Sequence, residues 1–356
     1  MMPRAAEVVL PCGELRETLA FFTERLGFRV DSIAPADDPS VAVLSAHGVR
    51  VRLVRGAGGG PGVLRMLFAD PAAFADGATE LVAPNGTRIE IAAADPPLAM
   101  PAAQPSFVVT RGAGGEWIEG RAGMRYLDLV PGRQGGRLVA SRIQIADAGP
   151  VPDYVHFHRV RFQMIYCVRG WVRVVYEDQG PPFVLEAGDC VLQAPEIRHR
   201  VLESSAGLEV IEIGSPAHHE TIADHELALP TPTLRAERLF NGQRFARHRA
   251  ARAEWRPSHR AGFSSRDTGI AHATSGLASV RVLRGDGGAQ RAAHELRAQD
   301  GELLFGFILR GAVTLRCANR ADELLGESDA FVVPRGMEHA LTDATPDLEL
   351  LEVAIG

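Results

Sequence analysis

The chain is poor in the residues that mark disulfide scaffolds, membrane spans and polyanion binders. It has 4 cysteines in 356 residues, Cys12, Cys167, Cys190 and Cys317, far apart and with no CxxC pair. That scatter argues against a disulfide framework or a structural zinc site and suits a reducing compartment. No apolar run approaches the roughly 20 residues of a membrane-spanning helix. The opening MMPRAAEVVLPCGELRE carries acid early and lacks the apolar core of a signal peptide. A cytoplasmic location and no membrane partner are therefore expected. There is no basic excess either. The formal net charge is -6, so nucleic acid is not an expected partner. Arginines do crowd between Arg244 and Arg260, where a solvated connecting segment is expected.

What the chain does have is apolar material for more than one core. Hydrophobic residues make up 46 % and charged residues 23 %, as in ordinary globular domains. At roughly 100–200 residues per domain, two or three are expected. Gly, Pro and Ala cluster over residues 92–115 and again over 216–262, compositions that build a core with difficulty. The expected division is a first module over 1–95, a linker over 96–115, a domain over 116–228, a linker over 229–264 and a last domain over 265–356.

The first module opens with a short apolar strand at Glu7 to Cys12. GELRETLAFFTERLGF follows, in which Leu15, Leu19, Phe22 and Leu26 fall at spacings of three and four, one helical stripe. Gly27 stands where a helix end wants a residue free to take positive φ. Alternating strands SVAVLSA, VRVRLVR, GVLRMLFAD and TRIEIAA complete a βαβββ order with a reduced second half. Through LRETLAFFTERLGF and APNGTRIEI this quarter of the chain resembles the vicinal oxygen chelate family of glyoxalases and ring-cleaving dioxygenases. The resemblance puts a metal-binding glutamate at Glu90. The family's first-strand histidine is replaced by Glu7, and the next ligand strand offers only Arg65. The implied metal site is therefore eroded, and Glu90 is expected to be a surface strand residue. The module reads as a lid, a docking surface or a dimer element.

Beyond it, short strands alternate with Gly and Pro turns: RLVASRIQI, MIYCVRGWVRVVYED, PFVLEAGDCVLQA and LEVIEIG. This punctuation indicates an antiparallel sandwich or barrel. The last domain repeats it, and the endings GLEVIEIG and DLELLEVAIG are alike. The chain thus carries an internal duplication.

The chemistry concentrates in residues 149–199. His156 and His158 are two apart on an expected strand, so both imidazoles face one side. Gln163 begins the next strand, and His199 follows a Pro-marked turn. Three neutral imidazoles on rigid strands suit Fe, Mn, Ni, Cu or Zn and leave positions open for a reaction. Tyr154 and Arg161 flank the set and could meet a substrate carboxylate or phenolate; surface ion pairing is equally open for Arg161. Cys167 shares a strand face with Gln163, and a small buried hydrophobe is its expected role.

Gly149-PVPDYV-His156-Phe-His158-RVRF-Gln163-MIYCVR-Gly170, followed by Gly188-DCVLQA-Pro195-EIR-His199, resembles the two cupin motifs, with one extra residue before the histidine pair. The resemblance implies two cupin barrels, mainly β, preceded by the α+β module. It makes His156, His158 and His199 metal ligands and puts Gln163 at the glutamate position, as a fourth ligand or a donor to bound water or substrate. A glutamine leaves the divalent charge unneutralised, which favours an anionic chelating substrate. Cupin dioxygenases of thiols, β-diketones and gentisate also lack a liganding glutamate. The expected enzyme is an Fe2+ dioxygenase of a small phenol, diketone, thiol or hydroxy acid. Zn2+, Mn2+, Ni2+ and Cu2+ remain open. A non-redox lyase or isomerase, or a small-molecule binder without catalysis, are the alternatives. The resemblance also implies a homodimer or higher homo-oligomer.

In the second copy, Leu296 and Leu304 stand at the second histidine and glutamate positions, while His294 and His339 remain. A structural, inactive cupin is expected there. His218, His219 and His225 in PAHHETIADHEL are expected to lie on a solvent-facing linker.

Overall fold

The computed structural model describes residues 3, 5–25, 27–46, 48–57, 63–73, 77–82, 88–286 and 295–356. The chain forms two compact bodies. The first comprises Met1–Ala99 with two later excursions, Tyr154–Arg159 and His219–Leu227. The second comprises Met100–Asp153, Val160–His218 and Ala228–Gly356. Among the described residues no helix is long and apolar enough to cross a membrane.

The first body follows the βαβββ order. Ala5–Cys12 leads into a helix at Leu15–Ala20, then come Arg29–Ala34, Val41–Ala46 and Val49–Arg55. The helix buries Leu15 and packs Leu19 and Phe22 against Ile33, Leu44, Val51 and Leu53. It is shorter than its apolar stripe. From Phe21 to Arg25 it widens to a π turn, where the Thr23 hydroxyl donates to the Leu19 carbonyl at 3.0 Å. Gly27 takes φ 71°, as the chain reversal requires; Leu26 lies outside the described residues. The sheet continues through Val63–Phe68, Arg88–Ala93 and Glu80–Val82.

The other edge of this sheet corrects the linker reading of PAHHETIADHEL. Thr221–Ala223 is an interior strand, paired on one side with His156–His158 and on the other with Ser32 and Ile33. Thr221 is fully buried. This short strand is held inside the sheet because both edges of its backbone find partners there. His218 and His225 are exposed, but His219 is buried.

The second body contains two barrels built alike. In the first, Phe162–Arg169, Leu208–Ser215 and Val139–Ile145 are neighbours in a long sheet, facing Phe183–Glu186, Trp171–Tyr176 and His199–Ser204, which are neighbours in another. In the second, Leu303–Arg310, Glu349–Ile355 and Ala278–Gly285 face Ala312–Cys317, Glu323–Gly326 and Glu338–Thr342. Each barrel fills its interior with its own apolar set. The outer faces of the two long sheets, with Phe162, Met164 and Ile211 from one and Phe305, Phe307 and Val353 from the other, share a further core. The segments expected as linkers carry strands: Val108–Thr110 pairs with Ala330 to Val332, and Ala246–His248 pairs with Cys190–Leu192.

The duplication extends to local irregularities. Each barrel has a β-bulge at the same register, between Cys167 and Arg169 and between Ile308 and Arg310. Each bulge is followed by a left-handed glycine, Gly170 at φ 74° and Gly311 at φ 73°. Beside Gly170 the Ser205 hydroxyl accepts the Trp171 N–H at 3.0 Å, and Thr345 does the same for Ala312 at 2.9 Å. A Cβ at Gly170 would overlap the Ser205 hydroxyl. Gly170→Ala is expected to cost about 2–4 kcal/mol, from the positive φ and the lost hydrogen bond together. Urea unfolding measures it, and a loss below about 1 kcal/mol would refute the account.

Candidate metal centre

His156 and His158 lie on the strand His156–His158, and His199 opens the strand His199–Ser204. The period of two aims both imidazoles of the first strand the same way. All three histidines are buried, and their ligating atoms lie within 4.8 Å of one another. Among the described residues this is the one such group of three or more His, Cys, Asp or Glu side chains.

The hydrogen bonds fix which nitrogen is offered. His156 Nδ1 lies 2.8 Å from the Tyr154 carbonyl oxygen, His158 Nδ1 3.2 Å from that of Glu220, and His199 Nδ1 2.9 Å from that of Ile197. A carbonyl only accepts, so each Nδ1 carries the proton and each Nε2 keeps its lone pair. Burial pushes the His199 imidazolium down to about 4, opposed by the Ile197 carbonyl. At neutral pH it is therefore a free base. Three immobilised Nε2 lone pairs are the donor set that a borderline divalent metal takes.

Gln163 opens the strand Phe162–Arg169 and is buried. Its Nε2 donates to Glu212 Oε1 at 2.5 Å. A carboxylate cannot donate, so this bond assigns the amide: the nitrogen faces Glu212. The Glu212 carboxylate thus stands one hydrogen bond behind Gln163. Tyr154 packs edge-on to His156, centroids 5.9 Å apart, and its carbonyl orients that imidazole. Arg161 is placed differently. Its guanidinium donates to Glu302 at 2.8 Å and to the Gly356 carbonyl at 2.7 Å, the ion-pairing role that was open to it. Cys167 is fully buried in the apolar interior, and burial pushes its thiol up to about 12.

Several neighbours carry no sequence signal. His219 sits edge-on to His158, centroids 5.3 Å apart. Tyr176 stacks on His199 at 5.5 Å, and its phenol oxygen accepts a hydrogen bond from Gln193. Burial also raises the Tyr176 phenol, with Glu212 contributing, so it stays protonated. Asp153 pairs with Arg121 and accepts the Val201 N–H at 2.9 Å, which ties the loop before His156 to the strand that carries His199.

The second barrel carries a different set at the corresponding positions. His339 is the register counterpart of His199, and Glu352 that of Glu212. Arg260 spans the two: Nε donates to Glu352 at 2.9 Å and Nη2 to His339 Nε2 at 3.2 Å. A guanidinium thus holds the lone pair that a metal would otherwise take. Leu304 stands at the Gln163 position and is buried among apolar side chains. His294 lies outside the described residues. Glu302 binds Arg137 at 2.6 Å and Arg161 at 2.8 Å.

In the first module, Glu7, Arg65 and Glu90 fall side by side in register on three neighbouring strands. Glu7 is buried and ion-paired with Arg52 at 3.0 Å and Arg50 at 3.8 Å. Its charge is met by guanidiniums.

No family model matches the sequence, and no curated protein does. Solved structures do match. One is the oxalate decarboxylase of Bacillus subtilis at pH 4.6, with a TM-score of 0.51 over 70 % of this chain and 76 % of that one, at 13 % identity. A second structure of the same enzyme, described for its Mn(II) centres, gives 0.51 over 70 % and 77 % at 12 % identity. The chain has a two-barrel cupin fold. At such identity the likeness carries the fold, and the two cupin barrels are those that the motifs implied.

Proposed function

We propose that the first barrel is the centre of a metal-dependent cupin enzyme acting on a small anionic chelating substrate, and that its reaction is a non-redox, lyase-type bond cleavage. The observation that carries the metal is the convergence of three buried imidazoles whose Nδ1 atoms are all engaged by carbonyls. His156, His158 and His199 would hold a divalent ion, with Fe2+, Mn2+ or Zn2+ compatible with the donors. That ion would supply Lewis acidity toward a chelating carboxylate or enolate.

The chain's own groups would orient and move protons. Gln163, pinned by Glu212, presents a neutral amide, so an anionic substrate meets no repelling carboxylate among the ligands. Glu212, behind that amide, is a carboxylate able to hold a proton for the departing or forming bond. Tyr176, protonated and buried, keeps water from the His199 side. Lyase chemistry is favoured by the likeness to oxalate decarboxylase at the level of fold. The neutral Gln163 supports a second reading, an Fe2+ dioxygenase. We further propose, from the element order alone, that residues 1–95 are a vicinal-oxygen-chelate-like module that has lost its metal ligands.

The test incubates metal-loaded protein with a panel of small dicarboxylates, hydroxy acids and diketones, following substrate loss and dissolved oxygen together. Turnover without oxygen uptake is the expected result. Stoichiometric oxygen uptake would establish the dioxygenase instead, and substrate binding without turnover would leave a binding protein.

A further inference from the structure

The arginine-rich stretch 244–260 does not run free in solvent. Ala246–His248 adds a strand to the first barrel beside Cys190–Leu192, and Arg256–Pro257 adds one to the second barrel beside Phe263–Asp267. Between them the chain walls a cavity of about 870 Å³, within the size range of small-molecule sites. Arg247, Arg249, Arg252, Arg256 and Arg281 line it, and the acids there are Glu254 and Asp267.

The two acids are already engaged. Glu254 pairs with Arg256 at 3.1 Å and Asp267 with Arg281 at 3.6 Å. Arg247, Arg249 and Arg252 make no ion pair among the described residues. The cost of this crowding shows at Arg247, whose guanidinium is shifted down by burial and then by Arg249. Arg247 is held in place all the same. It lies 3.9 Å over the Phe183 ring and donates to the Val184 carbonyl at 2.7 Å. Three cations without an ion pair lie along one wall, in a chain of net charge -6, and form a local positive field, with Asp189 and Glu186 acting on Arg247 against it.

A second observation concerns the wall of the same cavity. His248 lines it and is 8 % exposed, and its Nε2 has no hydrogen-bond partner. A buried polar atom left unpaired costs about 1–3 kcal/mol, and such an atom beside a cavity is a candidate contact for a bound partner.

We propose that this cavity binds a small phosphate-bearing anion, with Arg247, Arg249 and Arg252 meeting its charge and His248 Nε2 donating to one of its oxygens. The planar guanidinium fork suits phosphate oxygens two at a time, and three such forks suit an anion of more than one negative charge. The site is separate from the histidine triad and does not depend on the reaction proposed there.

Pyrophosphate binding to the full chain, measured by calorimetry, tests this. The measurement is made in the wild type and in His158→Ala, so that chelation by a metal at the triad cannot imitate binding at the cavity. One saturable site is expected in both, weakening as salt rises. Arg249→Gln with Arg252→Gln, both exposed positions, should weaken it at least about tenfold, the scale of one lost charge-assisted contact. His248→Gln should weaken it several-fold. If the histidine variant fails to fold, the exposed arginine pair still decides. Absence of saturable binding, unchanged affinity in the double arginine variant, or tighter binding of citrate than of pyrophosphate would each overturn the proposal.

Discussion

His158→Ala is expected to abolish metal binding and turnover together while leaving the barrels folded. The side chain contributes one of three nitrogens within 4.8 Å, and two imidazoles alone hold a divalent ion weakly. Losing a partner that merely orients a ligand costs 10–100-fold in affinity; losing the ligand itself should exceed that. Nor can a neighbour substitute. His219 is packed edge-on at 5.3 Å but is not part of the converging set. Gln163 is turned to Glu212 through its nitrogen, and a neutral amide oxygen is a poor replacement for an imidazole. The fold should survive, because His158 sits on a short strand whose backbone pairs with Thr221 whatever the side chain. Elemental analysis of protein purified without a metal-binding tag provides the measurement. The expected content is one metal per wild-type chain, since Arg260 occupies His339 in the second barrel, and none in the variant. Full occupancy in His158→Ala would remove the basis of the assignment.

What could be read from the sequence was whatever is local. The HxH pair shows its shared face through the period of two, and His199 follows a proline turn at the spacing the motif implies. The duplicated endings GLEVIEIG and DLELLEVAIG become the corresponding strands Leu208–Ser215 and Glu349–Ile355 of the two barrels, down to the shared bulge. What escaped was set by strand pairing across long separations. Glu220, which orients His158, is 62 residues away in sequence, and Glu212 is 49 from Gln163. No spacing rule connects such residues; only the sheet register does. His219 escaped for the same reason, since a polar segment between prolines gives no sign of joining a sheet. Arg161 illustrates the converse. Its neighbours in sequence include two of the converging histidines, yet its guanidinium is spent on Glu302, 141 residues on. Arg260 looked like one more cation in a basic run. Its place between His339 and Glu352 depends on contacts 79 and 92 residues away.

Acidification should destabilise the metal-free protein steeply between pH 7 and pH 5, and the two register-matched histidines account for much of the loss. His199 and His339 are each pushed down to about 4, in both cases chiefly by burial, with Arg260 adding to the shift of His339. In the unfolded chain a histidine titrates near 6.5. Between about 6.5 and 4 the unfolded state therefore binds more protons than the folded one, so stability rises with pH across that window. The contribution is complete above 6.5 and is lost as the pH falls toward 4. From pH 7 to pH 5 each imidazole should cost about 2 kcal/mol. Two of them together are comparable with much of the stability of an ordinary domain. Carboxylates held low by arginines, such as Glu302 beside Arg137 and Arg161, lose their contribution only at lower pH, so they do not obscure this window. Urea unfolding at pH 7 and pH 5 measures the difference, and His339→Gln isolates one histidine from the other. The variant keeps an acceptor for Arg260 in its amide oxygen, and its stability should fall by about 2 kcal/mol less on acidification than that of the wild type. An identical fall in both proteins would mean that His339 does not stay neutral in the folded barrel. The guanidinium could then no longer be what holds its lone pair.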